Sequence, residues 1–139
     1  METLTTANAV IFFLLASLHV YWAIGGSNGM DVTVPTDSNG RKLFRPGRGI
    51  TLLVTLGLLA FGLCNTAFAG WLQPGLAPSS FRYAILLIAV IFLLRAIGDF
   101  RYIGMAKRYR QSRFARWDTL LYTPLCLFLA ASHSWLYFI

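Results

Sequence analysis

Four apolar runs, at about 7 to 25, 50 to 72, 81 to 98 and 118 to 138, constrain this chain more than any other feature. Each is long enough to cross roughly 30 Å of hydrocarbon as a helix rising about 1.5 Å per residue. Inside a bilayer no water is at hand to satisfy a backbone amide, so such runs span it as helices. The expected fold is therefore all-α: an integral membrane four-transmembrane-helix bundle, in a single domain covering residues 1–139. Composition agrees, since 12% of the residues are charged, against a soluble norm of about 25%. The N-terminus lacks the basic segment and cleavage site of a signal peptide, so the first run is expected to remain as helix one.

The net charge of +7 sets twelve Lys and Arg against Glu2, Asp31, Asp37, Asp99 and Asp118. Four of the basic residues (Arg41, Lys42, Arg45, Arg48) sit in the first loop. Six more (Arg101, Lys107, Arg108, Arg110, Arg113, Arg116) sit in the third. With four spans these two loops share one face, and the positive-inside rule assigns that face to the cytoplasm. Both termini and the short uncharged second connection, QPGLAPSS, are then outside. The basic loops are expected to meet the anionic head groups of membrane lipids; nucleic acid is not an expected partner.

Within the third loop, Phe100, Ile103, Tyr109 and Phe114 are spaced so that a helix would lay an apolar stripe on the interface while its Lys and Arg reach phosphates. Such an amphipathic interfacial helix between helices three and four stands beside the plainer reading of a basic loop that serves topology alone. Cys64 and Cys126 lie inside apolar runs without CxxC or metal-ligand spacing, and read as small core residues.

Ionisable groups within a span are expensive unless they face a partner or a cavity, so they mark where function is sought. His19, Arg95, Asp99, Asp118 and Tyr122 all map to the leaflet on the side of the basic loops. At about 1.5 Å per residue His19 lies roughly 9 Å below that boundary and Arg95 about 5 Å, with both aspartates close to it. Arg95 and Asp99 are four apart and can pair on one helical face. His19 can then meet Asp99, Asp118 or Tyr122, with Tyr21 and Trp22 as aromatic walls. The plainer alternatives are that Asp118 caps helix four, that Arg95 reaches to lipid phosphates, and that Tyr21 and Trp22 belong to the interfacial aromatic belt.

Pro124 interrupts helix four and frees the carbonyl of Leu120, a kink that either opens a cavity or is absorbed by neighbouring groups. His133 lies about 13 Å deeper than His19 along the bundle axis, too far for both to ligate one haem. It reads as an interfacial residue near the outer end. Asn65 reads as a helix-to-helix hydrogen-bonding group, with Gly57, Gly62 and Ala69 allowing close packing. No metal, haem or other cofactor is expected.

The residues that stand out form a set: HVYWAIGG at 19 to 26, Val34-Pro35, RAIGDFRYIG at 95 to 104 and FARWDTLLYTPLCL at 114 to 127. Together they resemble a family of small bacterial membrane proteins catalogued as domain of unknown function 3995, over nearly the whole chain. The resemblance implies a multi-pass protein of four helices in the bacterial inner (cytoplasmic) membrane and carries over no activity or cofactor. Its motifs include His19, Trp22, Asp99, Arg101, Asp118 and Tyr122, which with Tyr21 and Arg95 make up the candidate ligand-binding set.

Three functional readings follow. The first is a site in the cytoplasmic leaflet that binds or transports a lipid-like or other amphiphilic small molecule, or otherwise maintains the envelope. The second is a small acid–base enzyme, isomerase-like, using His19 with Asp99 or Asp118. No nucleophile elbow, metal-binding HExxH or phosphate loop specifies a reaction, so binding is preferred to catalysis. The third is a structural or regulatory subunit, a homo-oligomer or part of an envelope complex, whose polar groups set helix register.

Overall fold

The computed structural model describes every residue except Gln73, Pro74, Leu76 and Ala77, and the backbone but not the side chain of Pro78. The central part of the expected uncharged second connection therefore lies outside the described residues. Among the described residues six α-helices run in the order α1 (Glu2–Ala23), α2 (Met30–Thr33), α3 (Arg48–Phe68), α4 (Pro78–Ile97), α5 (Arg113–Trp117) and α6 (Thr123–Phe138). A π-helical turn, Asp118–Tyr122, joins α5 to α6 so that the last three segments form one continuous rod. Among the described residues four helical stretches (α1, α3, α4 and this rod) are long and apolar enough to cross a membrane. The chain is a membrane protein with an all-α four-helix bundle.

α1 lies along α3 and α4 lies along α6, and the two hairpins meet at Phe12, which is wholly buried. Its ring stands 5.5 Å from Phe61 of α3, 5.5 Å from Phe92 of α4 and 5.6 Å from the imidazole of His133 of α6. Edge-on aromatic contacts of this kind add to the burial of their area. Ala16, Leu58, Ile88 and Leu129 complete the core. The large side chains left outside, among them Leu14, Leu53, Leu63 and Leu94, point away from it on every span, as expected of helices whose surroundings are hydrocarbon.

Close approach of α1 to α3 depends on Gly62, where a β-carbon would fall 2.6 Å from the Phe13 ring. Gly57, expected to serve the same purpose, faces open space instead. Gly62→Val is therefore expected to lower stability by roughly 1–3 kcal/mol through overpacking, while Gly57→Val stays near neutral. Thermal unfolding of the two variants in detergent distinguishes them; equal effects would contradict the packing.

Loops one and three fold together at the end opposite the termini: Arg113 Nη1 donates to Asp31 Oδ2 at 2.7 Å, and the Tyr122 hydroxyl to the Val32 carbonyl at 3.2 Å. Val34 of the Val-Pro pair is buried beneath this cap. At the other end Trp71 Nε1 donates to Glu2 at 3.3 Å, and Arg82 Nε to the Tyr137 carbonyl at 2.9 Å.

The third loop is not an amphipathic helix. Residues 98–111 form turns and bends, because Gly98 (φ 86°), Phe100 (φ 63°) and Gly104 (φ 82°) hold left-handed backbone that no α-helix accepts. Helix resumes at Arg113 behind a Ser112 cap, whose hydroxyl accepts from Ala115 N at 3.0 Å. Asp118 is thus not the cap of helix four; it sits one full turn inside. Before Pro124 the rod widens: Thr123 N donates to the Asp118 carbonyl five residues back, a π turn at the point where proline removes the next donor.

Candidate functional site

Asp118 is completely buried and its carboxylate is fully engaged. Oδ1 accepts from Arg95 Nη2 at 2.9 Å. Oδ2 accepts from Lys107 Nζ at 2.9 Å and from Gly104 N at 2.8 Å. Lys107, whose side chain is 3% exposed, also donates to the Gly104 carbonyl at 3.1 Å. One anion thus holds together the end of α4, the third loop and the π turn. Two cations meet one anion here, and Arg95 Nη1 is buried without a partner among the described residues.

The loop reaches this carboxylate because it doubles back over α4. Met105 N donates to the Ala96 carbonyl at 2.8 Å and Ala106 N to that of Ile97 at 3.3 Å, satisfying the carbonyls a helix end leaves open. Gly98 and Gly104 pass so close that a β-carbon on Gly98 would strike the Ile103 carbonyl, and one on Gly104 the carbonyls of Ala96 and Ile97. Between them Asp99 Oδ1 accepts from the backbone N of Arg101 (2.9 Å), Tyr102 (2.7 Å) and Ile103 (2.9 Å).

Slight burial pushes the Asp99 carboxyl up, but the N–H donors of Ile103, Arg101 and Tyr102 outweigh it and hold the group below its ordinary 3.8. A carboxyl lowered on folding stabilises the folded state above its unfolded value and loses that contribution as pH falls through the folded one. The Asp99 turn is therefore expected to be intact at neutral pH and to loosen only below pH 3.8. Amide chemical shifts of residues 101–103 followed through an acid titration check this, and Asp99→Ala should show the loosened shifts already at pH 7.

The candidate residues fall into three places. Arg95 and Asp118 come together, with Tyr122 beside them, its ring 6.0 Å from Phe114. Asp99 and Arg101 lie apart, on an open hollow of about 660 Å³ shared with Ser38, Phe100, Tyr102 and Arg108; the Arg101 guanidinium lies over Tyr102, 5.1 Å from its centroid. The expected Arg95–Asp99 pair does not form, because α4 ends at Ile97 and Gly98 turns Asp99 off the helical face.

His19 does not meet Asp99, Asp118 or Tyr122. Its Nδ1 donates to the Leu15 carbonyl one turn back at 2.7 Å, and its ring stands edge-on to Trp22 at 5.0 Å. Trp22 Nε1 donates to the Asn28 carbonyl at 2.9 Å, and the Tyr21 hydroxyl accepts from Asn28 N at 3.5 Å. These aromatics fasten the first loop rather than wall a pocket around His19.

Sequence reasoning missed Lys107, Gly104 and Thr123. Lys107 was one basic residue among six, and its one distinguishing mark is that it is the lysine among five arginines. A flexible ammonium fits where a planar guanidinium does not. Thr123 is 5% exposed with a hydroxyl that finds no partner among the described residues. It lines a crevice of about 280 Å³ between the third loop and α6, together with Met105, Lys107, Arg110, Thr119 and Leu127.

The architecture and its anchoring motifs agree with one comparison. A family model described as protein of unknown function (DUF3995) matches residues 12–133. The chain belongs to that family. The match covers every motif that builds the cap of this DUF3995 member, from His19 to Pro124. No curated protein and no solved structure matches the chain.

Proposed function

We propose that this protein is a membrane module that binds an anionic amphiphile at its basic face, in the crevice between the third loop and α6. The observation that carries this reading is Thr123, a crevice-lining residue whose buried hydroxyl has no partner among the described residues. Beside it the exposed Arg110 supplies a cation, and Met105 and Leu127 an apolar floor. A negatively charged head group with an acyl body meets each need. On this reading the face lies in the cytoplasm of a bacterial cell, with the termini outside and the protein in the inner membrane, an orientation supported by the ten basic residues of loops one and three.

Asp118 has no role in exchanging protons on this reading, since three donors already occupy it. Among the described residues His19 has no carboxylate partner of the kind that acid–base catalysis with Asp99 or Asp118 would use. Native mass spectrometry of gently extracted protein tests the proposal. Wild type is expected to carry an anionic lipid, and Thr123→Val and Arg110→Gln to carry less of it. Wild-type protein without any bound amphiphile sinks the reading.

A second reading, a structural subunit or homo-oligomer, is favoured by a different observation: Asp118, Trp22 and Tyr122 spend their polar atoms, and Asp99 its Oδ1, on the protein's own backbone and side chains. The same spectra decide, because a defined oligomer free of lipid is its signature.

A further inference from the structure

The half of the bundle near the termini contains a second polar cluster, remote from the basic face. Asn8 of α1, Asn65 of α3 and His133 of α6 are each 0% exposed, and Ser132 is 6%. His133, expected at the interface, is instead inside the bundle and bonded to α3. Ser132 Oγ lies 3.1 Å from both Asn8 Oδ1 and the Leu129 carbonyl, which share its one proton. His133 Nδ1 lies 2.7 Å from the Leu129 carbonyl, so Nδ1 carries a proton. Nε2 lies 3.1 Å from Asn65 Nδ2, which also donates to the Phe61 carbonyl at 2.9 Å. That second bond identifies the atom as the amide nitrogen, so Nε2 is the acceptor and the imidazole is neutral.

Two atoms of this otherwise complete network have no partner among the described residues: the donor Asn8 Nδ2 and the acceptor Asn65 Oδ1. Each unmade bond costs about 1–3 kcal/mol, and a chain surrounded by hydrocarbon has no bulk water to relieve it. What completes the network must accept from Asn8, donate to Asn65 and bear no charge, because the cluster itself bears none. Water meets all three conditions.

A crevice also approaches the cluster from the termini face. Thr5, one turn from Asn8 on the same face of α1, is 1% exposed and lines a crevice of about 530 Å³ at the termini face with Met1, Glu2, Phe68 and Ala69. Below the cluster the way is shut: Phe12 stands against the His133 ring at 5.6 Å, over the apolar core of Ala16, Leu58, Ile88 and Leu129.

We propose that Asn8, Asn65, Ser132 and His133 form a hydrated internal site, a neutral pocket that takes up water from the termini face and ends blind at Phe12. It is independent of the amphiphile crevice and lies in the opposite half of the bundle.

Water-edited solid-state NMR of the full chain in bilayers tests it. Magnetisation from water is expected to reach the His133 ring and the Asn65 side chain at mixing times at which Phe12 and Ile88 receive none. Asn8→Leu combined with Asn65→Leu is expected to abolish the transfer to His133. A His133 ring as dry as Phe12 in the wild type overturns the proposal, and that comparison within one sample stands whether or not the double variant folds. Transfer that persists undiminished in a folded double variant overturns it too.

Discussion

Replacing Asp118 with alanine is expected to cost about 3–5 kcal/mol of stability, because it strands buried cations without their counter-charge. Most of that falls on Lys107. Its side chain is 3% exposed, whereas that of Arg95 is 32% exposed and can extend toward the interface. The variant also leaves Gly104 N without its acceptor, so the third loop loses its hold on the rod. Thermal unfolding of the extracted protein, followed by circular dichroism, measures the loss. The double replacement Asp118→Leu with Lys107→Met should recover part of it, since an apolar pair leaves less unsatisfied charge than a lone ammonium. If Asp118→Ala matches an ordinary surface change, within about 0.5 kcal/mol, the carboxylate is not the centre of the cap.

The second large effect is expected at Gly104. Alanine there brings a left-handed penalty of about 1–2 kcal/mol for a residue with a β-carbon, to which the collision with the Ala96 and Ile97 carbonyls adds. Those carbonyls belong to the backbone of α4 and cannot swing aside as the ring of Phe13 can. The loop must therefore lift, and with it the Gly104 N–H and Lys107 that engage Asp118. Gly104→Ala and Asp118→Ala act on one contact, so their effects should fall well short of additive in a double-mutant cycle. Full additivity would mean that the glycine and the carboxylate are energetically separate.

The four spans were legible because about 20 consecutive apolar residues have few other solutions, and loops one and three do lie at one end of the bundle. Asp118 and Arg95 were legible too, since buried charge in a span is conspicuous. Their partner was not. Lys107 looks like its arginine neighbours until a pair of left-handed glycines, six residues apart, folds the loop back and drives its ammonium inside. His19 and Asp99 misled for a common reason. Each satisfies itself locally, His19 on the Leu15 carbonyl and Asp99 on the amides just after it, and local bonds leave no trace in estimates of depth. His133 misled in the opposite sense: its depth suggested the interface, while its azimuth turned it toward Asn65.

Azimuth also gives the π turn a meaning beyond that of a local irregularity. Successive residues of an α-helix are separated by about 100° around the axis. An unbroken helix would put Asp118, eleven residues before Leu129, within about 20° of the same line and aim it at the middle of the bundle. The residue absorbed between Asp118 and Tyr122 rotates the start of the rod by about one such step relative to α6. The carboxylate consequently looks sideways, to Arg95 and Lys107, while Leu129 and His133 keep their inward aim. One extra amino acid works as a rotary offset: a single-residue deletion within this turn would leave composition and hydrophobicity nearly unchanged, yet make the two ends of the rod serve incompatible directions.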